Sequence, residues 1–208
     1  MITGELKNKI DGIWEIFWSS GMTNPLTVIE QITYLMFIHD LDTTDNLRAK
    51  ESAMLGLPFK SIFADEVQVG DRKIDGKQLK WSVFHDFDAG RMYSVMQEWV
   101  FPFIKNLGGG KDSAYSKYMG DAMFKLPTPL LLSKVVDCLD QIYDQMEKVK
   151  DSDIRGDVYE YLLSKIAQSG LNGQFRTPRH IIKMMVELMQ PTLNDSICDP
   201  AMGSAGFI

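Results

Sequence analysis

A glycine-containing turn near the C-terminal end of the sequence limits the possible folds more than any other stretch. Residues 174–208 contain a capped helix, a turn, a short apolar run and then Asp199-Pro-Ala-Met-Gly-Ser-Ala-Gly-Phe207. A strand followed by a Gly-rich turn is how open α/β sheets bring the backbone close to a nucleotide-like ligand. Gly203 and Gly206 permit a tight bend, and the N–H groups that open a following helix can hold a polar ligand. On spacing alone, a purely structural strand-to-helix turn explains this pattern equally well.

The composition is that of an ordinary globular protein, with 45% apolar and 24% charged residues. No apolar run reaches about 18 residues and the start lacks a secretory signal, so neither a membrane span nor secretion is predicted. Cys138 and Cys198 lie far apart, which excludes a disulfide framework and a Cys-based zinc site and fits a reducing cytoplasm. The net charge of −6 argues against a chain that coats nucleic acid non-specifically. This charge does not exclude a contact with DNA through a local basic face or through a partner subunit.

Apolar residues at helical spacing predict helices through most of the chain. Six are expected before the C-terminal stretch, over residues 5–18, 25–42, 47–55, 89–100, 129–146 and 153–167. Three of them follow a capping residue, namely Asn24, Asp88 or Thr128. Pro102 is expected to end or kink the fourth helix, and Gly108-Gly109-Gly110 to break the chain after it. Residues 56–76 are expected to be loop-like, with short extended pieces and turns at Gly70-Asp71 and Asp75-Gly76.

The C-terminal stretch predicts one helix and one strand. Thr177 is expected to cap a helix that has Pro178 at its first position and runs to about Met189. After a turn at Asn194-Asp195, residues Ser196–Cys198 are expected to form a short strand. This strand has no predicted neighbour in the chain, so we expect it to be covered, paired between chains or disordered. The charged residues 147–153 predict a junction between a helical domain, 1–150, and an α/β unit, 151–208.

Two separated motifs together carry a family resemblance. Gln174-Phe-Arg-Thr-Pro-Arg179, followed after one helix by Asp199-Pro-Ala-Met-Gly-Ser-Ala-Gly-Phe207, resembles the amino-methylating DNA methyltransferases. Within them the stretch is similar to the modification subunit of bacterial type I restriction-modification systems. Residues 156–163, 101–103 and 118–122 resemble upstream parts of the same subunit. The resemblance therefore extends over nearly the whole chain and is most specific over 174–208.

The resemblance implies a mostly α fold. A helical N-terminal domain would be followed by the first helix-strand unit of a truncated, Rossmann-like α/β methyltransferase domain. It also implies a cytoplasmic, site-specific enzyme that transfers a methyl group from S-adenosylmethionine to the N6 amine of adenine in DNA. The implied partners are DNA, a specificity subunit, a second modification subunit and, as an optional addition, a restriction subunit.

The resemblance also assigns cofactor-binding residues. One set lies along the methionine end of S-adenosylmethionine: Gln174, Phe175, Arg176, Thr177, Pro178 and Arg179. A second set surrounds its amino acid and ribose: Asp199, Pro200, Ala201, Gly203, Ser204, Ala205 and Gly206. Ala205 stands where many members of the family have glycine, a difference of one methyl group.

Catalytic residues are not assigned. The family's Asn/Asp-Pro-Pro-Tyr/Phe motif, which holds the flipped adenine, does not occur in the sequence. Nor is there an acidic residue after a second strand to bind the ribose. We therefore expect at most half a cofactor site, and no methylation by these 208 residues alone. The alternative interpretation is a non-catalytic helical module that contacts DNA or a neighbouring subunit.

Other kinds of site are less well supported. The pairs His39-Asp40 and His85-Asp86 suggest a metal hydrolase, but a metal site needs several convergent ligands. We expect His39 at a helix boundary, His85 on a loop, and no metal. A small basic cluster lies beside the first cofactor segment and faces either DNA phosphate or solvent: Arg176, Arg179, His180 and Lys183.

Overall fold

Helices make up most of the part of the chain that the structure describes. The structure is a computed structural model and describes residues 2, 4–63, 66–107, 115, 119–148, 154–168, 177–200 and 207. Within these residues the helices are α1 (Gly4–Ser19), α2 (Pro25–Leu55), α3 (Trp81–Phe84), α4 (Ala89–Val95), α5 (Phe101–Asn106), α6 (Pro129–Lys148), α7 (Ile154–Gln168) and α8 (Arg179–Met189). The mostly α fold predicted from the sequence is confirmed for this part of the chain.

A two-stranded antiparallel hairpin connects α2 to the short helices that follow. Strands β1 (Glu66–Val69) and β2 (Arg72–Asp75) pair with Val67 opposite Ile74, and a turn at Gly70 joins them. Gly70 has φ +62°, a left-handed conformation that glycine adopts without strain. The extended pieces and the Gly70-Asp71 turn predicted from the sequence are therefore confirmed.

The predicted helix caps are largely present. The Asn24 side chain accepts a hydrogen bond from the Leu26 N–H at 3.0 Å at the start of α2. Asp88 accepts one from the Arg91 N–H at 3.0 Å, and Thr128 accepts one from the Leu131 N–H at 3.2 Å. Each cap satisfies an N–H group that has no partner within its own helix.

One apolar core holds α1 to α7 together. Helix α6 packs its broad apolar face against α1 and α4, and Phe17, Leu132 and Val136 are completely buried there. Val158 and Leu162 of α7 are buried in the same core. We call residues 4–168, where the structure describes them, the helical unit.

Helix α2 is longer than the sequence predicts. The polar residues 42–46 were expected to end it, but the helix runs through them to Leu55 and ends at Gly56. Asp42 and Asp45 are buried because they face the protein and not the solvent. Asp42 accepts a hydrogen bond from the Ser82 N–H at 2.8 Å, and Asp45 accepts one from Lys80 at 3.1 Å. These tertiary partners favour helix where the polar pattern indicates a break.

His39 also lies in the interior of α2, so its predicted place at a helix boundary is wrong. Its ring stacks on Tyr143 of α6 with the ring centres 3.6 Å apart. It meets Trp81 edge to face at 5.3 Å. His39 is thus an aromatic packing residue between two helices and the start of α3.

Pro102 does not end the helical structure, which was one of the two outcomes predicted for it. A π-helical turn, Met96–Val100, joins α4 to α5, and helical structure continues to Asn106. The Phe101 N–H bonds to the Met96 carbonyl, five residues back. A proline ring clashes with the carbonyl four residues back in a regular α-helix, and the wider π turn removes that clash.

Two predictions at the C-terminal end are also wrong. Thr177 does not cap α8: Pro178 occupies the cap position, and its carbonyl accepts the first helical hydrogen bonds, from Ile181 and Ile182. Ser196–Cys198 does not form a strand, because no second strand pairs with it among the described residues. The break predicted at residues 108–110 lies outside the described residues.

Candidate functional site

A cleft opens between the C-terminal half of α8 and the segment that follows it. Its volume is about 660 Å³, within the range of small-molecule sites. Apolar side chains dominate its walls, and Asp195, Ser196 and Asp199 supply the polar groups. The lining residues are Met185, Val186, Met189, Pro191, Asp195, Ser196, Ile197, Cys198, Asp199, Pro200 and Phe207.

A sharp reversal of the chain after α8 produces this cleft. Gln190 ends the helix in a left-handed conformation with φ 48°, and its N–H donates to the Val186 carbonyl. Pro191 cannot continue the helix because it lacks an N–H group. A turn then forms from Thr192 to Asp195, closed by the Asp195 N–H on the Thr192 carbonyl at 3.1 Å. Residues 195–200 therefore form one wall of the cleft and α8 forms the other.

The two carboxylates in the cleft have different surroundings. Asp195 accepts hydrogen bonds from the Thr192 N–H at 2.7 Å and the Thr192 hydroxyl at 2.9 Å. Both bonds lower the pKa of the Asp195 carboxyl, so it stays ionised and serves the turn. Asp199 lines the same cleft next to Pro200, at the position where the sequence predicts a ligand-facing carboxylate.

The structure describes only part of the predicted cofactor site. Asp199 and Pro200 lie in the cleft. The structure describes Thr177 and Pro178 and the backbone of Arg179, all at the opposite end of α8. Eight other predicted residues lie outside the described part of the chain: Gln174, Phe175, Arg176, Ala201, Gly203, Ser204, Ala205 and Gly206.

The two predicted segments are separated along α8. A helix of 11 residues is about 16 Å long. Pro178 lines a second cavity, of about 440 Å³, together with His180 and residues of α1 and α7. Asp199 and Pro200 therefore line one cleft, whereas Pro178 lines a different cavity.

Sequence reasoning missed the apolar wall of the cleft. Met185, Met189 and Phe207 line it, and none of them was predicted as a site residue. A signal existed, because the apolar residues of α8 form one very broad face. Residues at the two edges of this face are exposed together, as Met184 at 50% and Val186 at 41% show. So broad an apolar face has more surface than a single contact covers.

The remaining candidate residues show no sign of a second functional site in the described part of the chain. In the described part of the chain, no group of three or more His, Cys, Asp or Glu side chains converges as a metal site requires. His85 pairs with Asp140 at 3.0 Å. Within the basic cluster, His180 is exposed, and Lys183 lies 3.9 Å from Glu187 on the exposed side of α8. No helix among the described residues has the length and hydropathy of a membrane span.

Two family models match the chain. The model of the HsdM N-terminal domain matches residues 6–139, and the model of N-6 DNA Methylase matches residues 150–208. The second match contains α7, α8 and the residues of the cleft, and the first contains α1 to α5, the hairpin and the first half of α6.

Curated relatives agree with these models. The chain is 32% identical to the type I restriction enzyme EcoEI methylase subunit of Escherichia coli over 52% of its length. It is 36% identical to the StySPI methylase subunit of Salmonella potsdam over 50%, and 47% identical to the HindI methylase subunit of Haemophilus influenzae over 26%. These matches span 23%, 20% and 13% of the respective relatives. Because the HsdM N-terminal model matches more than half of its residues, the chain belongs to the HsdM family of type I modification subunits.

Proposed function

We propose that the cleft beside α8 is part of an S-adenosylmethionine site in a methyltransferase subunit that acts on adenine N6 in DNA. The observation that carries this proposal is the position of Asp199 and Pro200. They line a cleft of about 660 Å³, and they lie within the segment that matches N-6 DNA Methylase. The matched relatives are methylase subunits of type I restriction enzymes, which supports the same reaction class.

The residues of the cleft fit this cofactor chemically. A carboxylate suits the cationic α-amino group of an amino acid, so Asp199 would hold that end. The wall formed by Met185, Met189 and Phe207 suits the less polar parts of the molecule. The bound cofactor supplies a sulfonium methyl group. The role of this chain would be to hold that group in a fixed orientation, since placement is a large part of such a transfer.

The further residues of the site belong to the same proposal. The Gly-containing stretch 201–206 would continue from Asp199 and bring backbone N–H groups to the ligand. Gln174–Arg179 would approach from the start of α8. The proposal also includes a domain boundary near residue 150, a cytoplasmic location and a set of partners. The proposed partners are DNA, a specificity subunit, a second modification subunit and, as an optional addition, a restriction subunit.

Equilibrium dialysis of the 208-residue chain against tritiated S-adenosylmethionine tests the proposal. We expect saturable, micromolar binding of one molecule per chain, with displacement by S-adenosylhomocysteine and none by ATP. ATP shares the adenosine group but lacks the amino acid that Asp199 would recognise. Absence of saturable binding, or equal competition by ATP, would contradict the assignment of the cleft.

A second candidate function is that of a helical assembly module. The observation that favours it is the distribution of the core, which lies almost wholly in the helical unit. The sequence also lacks the Asn/Asp-Pro-Pro-Tyr/Phe motif. We propose that these residues alone do not methylate DNA, and that the helical unit contacts a neighbouring subunit or DNA. Tritiated-methyl transfer by the purified chain, above a no-enzyme control, would contradict the first statement.

A further inference from the structure

Helix α7 packs on the rest of the helical unit with one face. Arg155, Val158, Leu162 and Lys165 recur at intervals of three and four residues, which places them on one side of the helix. Val158 and Leu162 are 1% exposed and enter the common core. The two charged residues lie at either end of this apolar pair. Although α7 falls in the segment matching the methylase model, its packing is with α1 and α2.

A polar contact holds each end of that face. At the N-terminal end, Arg155 lies 3.3 Å from Asp40 of α2. At the C-terminal end, Asp11 of α1 accepts a hydrogen bond from the Tyr161 hydroxyl at 2.6 Å and one from Lys165, also at 2.6 Å. We call Asp11, Tyr161 and Lys165, with Lys7, the Asp11 cluster.

The Asp11 cluster is more than an isolated surface ion pair. Lys7 adds a third bond to the Asp11 carboxylate, at 2.7 Å. The ammonium groups of Lys7 and Lys165 also lie 5.5 and 5.0 Å from the centre of the Tyr161 ring, within cation–π range. Burial raises the pKa of Asp11, but the bonds from the two lysines and the tyrosine lower it to about 2. The carboxylate is therefore ionised at neutral pH.

The same cluster borders the start of α8. Lys7 and Tyr161 line the cavity of about 440 Å³, and Pro178 and His180 line it from the side of α8. Ile182, one turn further along α8, is 8% exposed, whereas Met189 at the other end is 79% exposed. Helix α8 is thus covered near its start at Ile182, across this cavity from the Asp11 cluster, and open at its end, where it forms a wall of the cleft.

We propose that Asp11 is a positioning residue for the cofactor cleft. Its hydrogen bonds to Tyr161 and Lys165 fix the rotation of α7 and its position along its own axis. The position of α7 in turn determines the position of the start of α8, and the far end of α8 lines the cleft. This inference rests on the proposed function for its consequence in cofactor binding. Its structural part, the control of α8 by the Asp11 cluster, does not depend on that function.

Two measurements on the 208-residue chain test this inference. The variants are Asp11→Asn and Lys165→Met, and the control is Glu66→Gln, which removes a carboxylate from the exposed Lys73–Glu66 pair of the hairpin.

The first measurement is hydrogen–deuterium exchange, which needs no cofactor. We expect faster exchange in residues 179–189 of both Asp11-cluster variants, with unchanged exchange in α6. Unchanged exchange in α8, or equal acceleration in α6 and α8, would overturn the inference.

The second measurement is S-adenosylmethionine affinity by calorimetry, well below each variant's melting temperature. We expect both variants to bind about fivefold or more weakly, the lower limit of typical coupling between sites. The double variant should be no weaker than the weaker single variant, because both changes break one contact. Asp11→Glu, which keeps an ionised acceptor, should restore part of the affinity, and Glu66→Gln should match the wild type. Wild-type affinity in Asp11→Asn would overturn the inference and leave the proposed function intact, whereas no binding by the wild type would count against the proposed function.

Discussion

The helical unit and the segment after it use similar residues with opposite results. In the helical unit, Phe17 and Leu132 are completely buried. In residues 177–200, Leu188 and Met189 are more than three-quarters exposed and Leu193 is fully exposed. Helix α8 has an apolar composition as strong as that of α6, but it lacks surfaces that cover its second half among the described residues. Burial, and not composition, decides which region carries stability and which is open for binding.

The largest expected effect tests this contrast with one chemical change in each region. Leu132→Ala should lower the free energy of unfolding by about 3–5 kcal/mol, because it leaves a cavity in a closed core. Leu188→Ala should change it by less than about 0.5 kcal/mol, because the side chain is already in water. Urea unfolding followed by circular dichroism measures both. Equal losses in the two variants would show that the end of α8 is covered in solution.

A second substitution asks whether the helical unit depends on polar contacts as well. Lys80 lies 3.1 Å from Asp45 and 3.5 Å from Asp42, and both carboxylates are almost completely buried. Lys80→Met keeps the length of the side chain but leaves two buried carboxylates without their cation. We expect a loss of about 2–3 kcal/mol, somewhat below the value for a fully buried pair. Urea unfolding measures this loss too.

The matched control for Lys80→Met is Lys73→Met. Lys73 pairs with Glu66 on the exposed hairpin at 2.9 Å, and such surface pairs contribute at most about 1 kcal/mol. A loss in Lys80→Met no larger than in Lys73→Met would show that the buried cluster does not stabilise α2 through residues 42–46.

A third substitution should weaken cofactor binding and leave stability unchanged, whereas Leu132→Ala and Lys80→Met should lower stability. Asp199→Asn removes the carboxylate charge from the cleft and preserves its shape. We expect affinity for S-adenosylmethionine to fall about tenfold, which corresponds to about 1.4 kcal/mol, with the melting temperature unchanged. Asp144→Asn, an exposed site on α6 with the same change of charge, is the control. An equal loss in the control would mean that net charge, and not the cleft, attracts the ligand.

Local signals predicted the helical unit well. Capping residues such as Asn24, Asp88 and Thr128 act within one turn, so the sequence fixes where α2, α4 and α6 begin. The failures arose where a distant contact overrides a local one. The acidic residues that should end α2 are buried against Lys80 and Ser82, more than thirty residues away. Periodicity in a single segment cannot register such a partner.

The sequence pointed to two residues of the cleft and not to its apolar walls. Asp199 and Pro200 were predicted as cofactor-binding residues from the resemblance of their motif to a methyltransferase family, and both line the cleft. Met185, Met189 and Phe207 were missed because any apolar helix residue looks like core until its packing is known. The predicted strand failed for a related reason, since a strand exists only when another strand pairs with it.

The smallest expected effect is a pH dependence of stability that arises within the helical unit. His85 follows α3, and its two ring nitrogens lie 3.0 Å from Asp140 of α6 and 3.3 Å from Asp86. Asp140 also accepts a hydrogen bond from the Trp81 indole at 2.7 Å, so this contact joins α3 to α6. Burial lowers the pKa of His85, but the hydrogen bond to Asp140 and the charges of Asp140, Asp86 and Asp137 leave it raised.

A histidine with a raised pKa stabilises the fold in its protonated form. That contribution is complete below the ordinary histidine pKa of about 6.5 and is lost as pH rises through the higher folded value. His85→Gln should therefore lower the melting temperature more at pH 6 than at pH 8.5, by an amount worth no more than about 1 kcal/mol. Differential scanning calorimetry measures both values, with His180→Gln, an exposed histidine of α8, as the control. Because His85 contacts Asp140 and Asp86 and not the Asp11 cluster, cofactor affinity should not follow the same pH curve. An equal effect of His85→Gln at both pH values would show that the ring acts through packing alone.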